Sequence, residues 1–116
     1  MNNVIVEKSK KFAVRIVRLY QYLSDEKKEF VLSKQILRSG TSIGANVHEA
    51  TQGQSNADFV VKMSISLKEA VETEYWLDLL YTTDYVDQAQ YTSIARDCKE
   101  LVKLLTAIVK TSRQKS

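Results

Sequence analysis

The stretch VDQAQYTSIARDCKELVKLLTAI, Val86 to Ile108, carries a start signal followed by one uninterrupted apolar period. Asp87 offers a capping oxygen and Gln90 stands three positions on, where its amide can reach back. Val86 and Tyr91 have the spacing of a hydrophobic staple. From there Tyr91, Ile94, Cys98, Leu101, Leu105 and Ile108 recur every three or four residues, the repeat of a helix with one buried face.

The same period runs back towards the N-terminus. Phe59, Met63, Ser66, Ala70, Thr73, Leu77 and Leu80 keep it, behind Ser55 and Asp58 at capping-box spacing. Leu32, Ile36, Ser39, Ile43, Val47 and Ala50 form another face, ending near Gly53 in the polar run Thr51-Gln52-Gly53-Gln54. Ile5, Phe12, Ile16, Leu19 and Leu23, with Ser9 filling the gap, form the first, and Ser24 and Asp25 offer N-cap oxygens for the restart. Segments of about 20 to 27 residues are roughly 30–40 Å long. Joints of a few residues make sequential helices antiparallel. The expected fold is all-α, an antiparallel up-down-up-down four-helix bundle, in a single domain over residues 1–116. Only the polar end, Thr111 to Ser116, reads as a tail.

Composition agrees. A chain of 116 residues suits one core, and 44% hydrophobic with 27% charged residues is ordinary for a globular domain. Proline is absent and glycine occurs three times, too few chain-breakers for a β-sandwich or a doubly wound fold. The N-terminal MNNVIVEKSKKF has no apolar signal core, and no run of about 18 apolar residues occurs, so a cytoplasmic location without a membrane span is expected.

The residues give little sign of catalysis. One cysteine, Cys98, excludes an intrachain disulfide and a four-cysteine zinc site, and its place in the apolar row makes it a core residue. The only histidine, His48, lies off the apolar face and lacks a Glu three positions before it, which a di-metal bundle site requires. The serines have no Gly-x-Ser-x-Gly turn. No catalytic residue, metal or cofactor is therefore expected. Glu74 projects into the apolar arc of its helix and needs either a cation, with Arg38 a candidate, or a subunit boundary.

Charge is more informative. The net charge is +3, but residues 1–24 carry +4, 25–54 carry 0, 55–83 carry −3 and 84–116 carry +2. Lys8, Lys11, Arg15 and Arg18 share an arc of about 80° on the first helix, and Arg96, Lys99, Lys103 and Lys110 an arc of about 60° on the last. Such stripes can follow phosphates without reading bases. The plainer alternative is a solvated face partly neutralised by Glu7, Asp97 and Glu100.

Two further features concern packing. Gly40 and Gly44, among Ser39, Thr41, Ser42 and Ala45, form a patch of very small side chains. Each glycine costs a helix about 1 kcal/mol against alanine, and close approach of another helix compensates. The third helix carries more apolar surface than one stripe can bury: Val60, Leu67 and Val71 widen its arc on one side, Tyr75, Trp76 and Leu79 on the other. Another copy of the chain is the natural cover, and Tyr75 with Trp76 as a base-stacking platform is the rival reading.

The second segment contains SGTSIGANVHEA, Ser39 to Ala50. The third contains DFVVKMSIS, Asp58 to Ser66, followed by LKEAVETEYWLDLL, Leu67 to Leu80. In that order these closely resemble the bacterial four-helix-bundle family of proteins encoded in 23S rRNA intervening sequences, which is related to the accessory variability protein of diversity-generating retroelements. The resemblance runs from about Phe30 into the last helix and is most specific over Gln35 to Leu80. It implies a homopentameric barrel with a basic surface and, in the retroelement branch, binding to nucleic acid and to a reverse transcriptase. It supplies no catalytic residue. Five copies at +3 each would carry about +15, pooling the field of the stripes. The expected function is non-enzymatic binding of RNA or DNA by an oligomer, with service as an adaptor for a nucleic-acid enzyme as one form of it; the alternative is a protein–protein scaffold.

Overall fold

The structure, a computed structural model, describes residues 3–115. Its helices are α1 (Asn3–Asp25), α2 (Leu32–Thr51), α3 (Asn56–Thr82) and α4 (Gln88–Gln114), and no strand occurs among the described residues. Each helix packs on its sequence neighbours and α4 closes more loosely on α1, giving a four-helix bundle of 46 × 20 × 19 Å.

The core follows the helical period read from the sequence. Ile5, Phe12, Ile16, Leu23, Ile36, Ile43, Val47, Met63, Ala70, Leu77, Leu80, Cys98, Leu101 and Leu105 are buried, as are the polar gap-fillers Ser9, Ser39, Ser66 and Thr73. Leu19, Leu32, Phe59, Tyr91 and Ile108 are only partly buried against this cluster. At the end of α4 the 3.6-residue repeat drifts by one position, so Val109 and Ser112 turn inward in place of Ile108. The end at Thr111 is therefore not a tail: the helix continues to Gln114, and Ser116 lies outside the described residues.

Two hydrogen bonds between buried polar groups cross from α3 to α2. Ser66 Oγ donates to the Ile43 carbonyl at 2.8 Å, and the Thr73 and Ser39 hydroxyls bond at 2.9 Å, both between α3 and α2. Gly40 and Gly44 face α1. A Cβ at Gly40 would stand 2.6–3.0 Å from three side-chain atoms of Ile16, and one at Gly44 would stand 3.2 Å from the Ser9 carbonyl oxygen. The missing side chains are what let the α1 and α2 backbones approach.

Three joints turn the chain. At α4, Asp87 accepts from the Gln90 N–H and Gln90 Oε1 accepts from the Asp87 N–H, both at 2.8 Å, closing the capping box. At α3, Ser55 Oγ accepts from the Asp58 N–H at 3.1 Å. The α1–α2 joint overturns the reading of Ser24 and Asp25 as caps. Asp25 is still within α1, and Ser24 Oγ donates to the Tyr20 carbonyl four residues back at 2.9 Å. The chain turns at Lys28, whose φ is 55°, and the next residue does the capping. The buried Glu29 carboxylate accepts from the backbone N–H groups of Val31, Leu32 and Ser33 at 3.2, 3.0 and 2.7 Å. Burial alone would raise the Glu29 pKa, but these backbone bonds outweigh it and hold the group below its ordinary value. The same latch leaves Phe30 and Val31 exposed at the turn.

Cys98 is fully buried, with Sγ 3.4 Å from the Ala70 carbonyl oxygen, and desolvation pushes its thiol up to about 12. A thiolate is the reactive form. An alkylating reagent at neutral pH is therefore expected to leave the folded protein unmodified while it consumes the thiol in urea; mass spectrometry of the two samples reads the difference.

Candidate nucleic-acid interface

The two basic stripes meet different surroundings. The first lies along the seam between α1 and α4, where α4 presents acids. Lys8 Nζ is 2.7 Å from Glu100 and Arg15 is 2.6 Å from Asp97. Arg15 also donates to the Ser93 hydroxyl at 2.9 Å and to the Ser93 carbonyl at 3.3 Å. Arg18 donates to Gln21 on its own helix at 3.2 Å, and Lys11 lines the seam beside Asp97 and Glu100. Two of the four cations in the α1 stripe are thus spent on carboxylates. These pairs are two-fifths to one-half exposed, so each contributes little to stability, about 0–1 kcal/mol.

The second stripe lies on the outer side of α4. Lys99 is 3.9 Å from Glu74 on α3, a loose pair. Arg96, Lys103 and Lys110 are exposed and form no ion pair among the described residues. They repeat every seven residues, so they rise along one side of α4 at about 10 Å intervals. Beside them a shallow hollow of about 790 Å³ opens around Tyr91, Ala95, Arg96, Lys99 and Lys103, with Asp97 and Glu100 also on its lining. A smaller one of about 290 Å³ shares Tyr91, Ala95 and Lys99 and reaches Glu74 and Asp78.

Glu74 therefore pairs with Lys99 and not with Arg38. Arg38 instead forks onto Glu69, at 3.1 Å, and Glu72, while Trp76 Nε1 donates to Glu72 at 2.9 Å. The Trp76 bond, with Arg38 behind it, holds Glu72 below the usual carboxylate range, and the bond to Glu72 in turn raises Arg38. The helix wheel explains the correction: positions 69 and 72 face α2 and position 74 faces α4. His48 is exposed, at the rim of a narrow apolar groove between α1 and α2.

On α3, Val60, Leu67, Trp76 and Leu79 are partly covered within the chain's own bundle. Val71 and Tyr75 are 50% and 60% exposed, and Val61 and Ile65, outside the residues singled out above, are 55% and 38% exposed. Tyr75 and Trp76 meet edge-on, with centroids 5.2 Å apart and planes at 68°. Sequence reasoning also missed a second aromatic pair. Tyr81 and Tyr91 stack face to face across the α3–α4 joint, with centroids 4.6 Å apart and planes at 10°. Only the staple position of Tyr91 hinted that its ring sits at that joint.

Among the described residues no group of three or more His, Cys, Asp or Glu side chains is placed to hold a metal ion, and no helix is long and apolar enough to cross a membrane. Fold and surface together define a small all-helical bundle with charge-paired seams and, on α4, a basic row whose Arg96, Lys103 and Lys110 have no carboxylate partner among the described residues. The chain belongs to the 23S rRNA-intervening sequence protein family, whose profile matches residues 1–107. A crystal structure at 1.70 Å of a protein of unknown function from the S23 ribosomal protein family of Bacteroides thetaiotaomicron VPI-5482 is 62% identical, covering 93% of this chain and 96% of that one, with a TM-score of 0.91. No curated protein matches the chain.

Proposed function

We propose that this protein is a non-enzymatic, self-associating bundle that holds nucleic acid by its phosphate backbone along the outer side of α4. The observation that carries this reading is the row Arg96, Lys103 and Lys110, exposed at seven-residue spacing with no carboxylate partner among the described residues. Cations already paired in a seam must give up a partner before meeting phosphate; these need not. Contacts of this kind release counterions and give affinity that falls steeply with salt, without base preference. Membership of a family encoded in rRNA intervening sequences supports a role around RNA, and the relation of that family to the retroelement accessory protein extends the reading to service as an adaptor for a nucleic-acid enzyme such as a reverse transcriptase.

Self-association rests on α3. Val61, Ile65, Val71 and Tyr75 leave an apolar strip in water, and covering each half-exposed side chain is worth roughly 1 kcal/mol. A ring of five copies, as the resemblance implies, would cover this strip and repeat the α4 row around its axis.

Binding to mixed-sequence RNA, single-stranded DNA and duplex DNA at low and high salt tests the reading. The wild type is expected to bind at low salt and release as salt rises. Arg96→Glu/Lys103→Glu/Lys110→Glu is expected to lose roughly a hundred-fold or more in affinity, because three attractive contacts become repulsive. Binding unchanged in that variant would remove the α4 row from the function. Light scattering is expected to give a multiple of the 13.3 kDa subunit, and a stable monomer would remove the α3 interface. An oligomer that binds no polymer at low salt would favour the scaffold reading, which the apolar strip alone supports.

A further inference from the structure

The outer side of α4 offers more than charge. Tyr91 lies at the head of the basic row and borders both hollows, and its ring is braced from behind by the stacked ring of Tyr81. Both tyrosines are half-buried against the core, so the pair is held in place by packing. Ala95, one turn further on, is too small to fill the space beside the ring, and Arg96, Lys99 and Lys103 stand around the opening.

The two acids that line the larger hollow are committed elsewhere. Asp97 is bound by Arg15 and Glu100 by Lys8, both on the α1 side. On the α3 side, at the smaller hollow, Glu74 has its loose pair with Lys99 and Asp78 forms no ion pair among the described residues. The opening therefore combines an aromatic surface fixed in position, an empty space and cations two of which, Arg96 and Lys103, have no carboxylate partner among the described residues.

From this juxtaposition we propose that the Tyr91 hollow receives an unpaired base of single-stranded nucleic acid, with the flanking phosphates on Arg96 and Lys103. Every base has a π-face, so such a platform is indifferent to sequence, but a duplex keeps its bases stacked inside and presents only phosphates. Tyr75 is a poorer platform: it meets Trp76 edge-on, and it stands on the most acidic segment of the chain.

This inference rests on the α4 reading above and adds strand preference to it. The experiment compares a labelled mixed-sequence single-stranded RNA, the matching single-stranded DNA and the DNA duplex by fluorescence anisotropy, using the full chain and its Tyr91→Leu and Tyr91→Phe variants. Circular dichroism confirms that each variant is folded. Tyr91→Leu keeps the staple but removes the ring, and it is expected to weaken both single strands roughly ten-fold while changing duplex binding less than two-fold. Tyr91→Phe keeps the ring and is expected to bind like the wild type. Single-strand binding unmoved by Tyr91→Leu, or single-strand and duplex binding lowered alike, overturns the platform and leaves the phosphate row standing. No binding of any polymer by the wild type overturns both.

Discussion

Gly40→Ala is expected to destabilise the bundle by about 1–3 kcal/mol, although alanine is the better helix former by about 1 kcal/mol. The added methyl group has nowhere to go. It would stand 2.6 Å from Ile16 Cγ1 and 2.8 Å from Cγ2, and both belong to a β-branched side chain that is fully buried and stiff about its first torsion. Either Ile16 leaves its rotamer or α1 moves off α2. The discriminating variant is the pair Gly40→Ala with Ile16→Ala, which removes all three side-chain atoms that the new Cβ would meet. If close approach is the reason for the glycine, the double variant is more stable than the two single losses predict, by a coupling on the order of 1 kcal/mol in urea or thermal unfolding. Additive losses would show that Gly40 is needed for something other than clearance. Gly44 is a milder case, because its added Cβ meets the Ser9 carbonyl oxygen at 3.2 Å.

The second large effect lies at the α1–α2 joint. Glu29→Ala removes the group that accepts three backbone N–H bonds at the start of α2, and is expected to cost about 2–3 kcal/mol because those bonds go to a charged acceptor. Its pH dependence has a definite sign. The folded-state pKa lies below the ordinary 4.5, so the folded protein releases this proton more readily than the unfolded chain. The stabilisation is complete above the ordinary value and fades as pH falls through the lower folded value. Glu72 is lowered as well and adds to the same acid limb, so the informative quantity is a difference. The stability gap between wild type and Glu29→Ala should be constant near neutral pH and shrink towards the acid end. A gap independent of pH would mean that Glu29 acts by packing and not as a carboxylate.

These two sites differ in how visibly they were written. The glycine pair announced a close approach by its cost to the helix, and the α4 capping box was legible because its residues stand at fixed short spacing. The α2 cap was not, because familiar caps are short polar side chains immediately before the helix, whereas Glu29 reaches in from two residues before Val31. The basic stripes were legible as stripes, but which cations are spent was not. Lys8 with Glu100 and Arg15 with Asp97 depend on the register of the first helix against the last, which no local pattern encodes. Arg38 illustrates the same limit: a carboxylate partner on α3 was expected, yet the choice among positions 69, 72 and 74 depends on which flank of α3 meets α2. The stacked tyrosines are ten residues apart, on opposite sides of a turn. Their contact arises from the joint, and neither helix period contains it.

The hydroxyls buried between α2 and α3 have one more consequence. A rod that is oily on every side gains almost as much from turning any side inward, so area alone hardly selects its rotational phase. Ser66 and Thr73 do select it. A twist of α3 about its own axis would take Ser66 from the Ile43 carbonyl, orphaning its hydroxyl in a dry interior at about 1–3 kcal/mol, and would take Thr73 from the buried Ser39 hydroxyl, although Thr73 keeps the Glu69 carbonyl of its own helix at 2.8 Å. They act as detents, and the outward aim of the apolar strip on α3 depends on them.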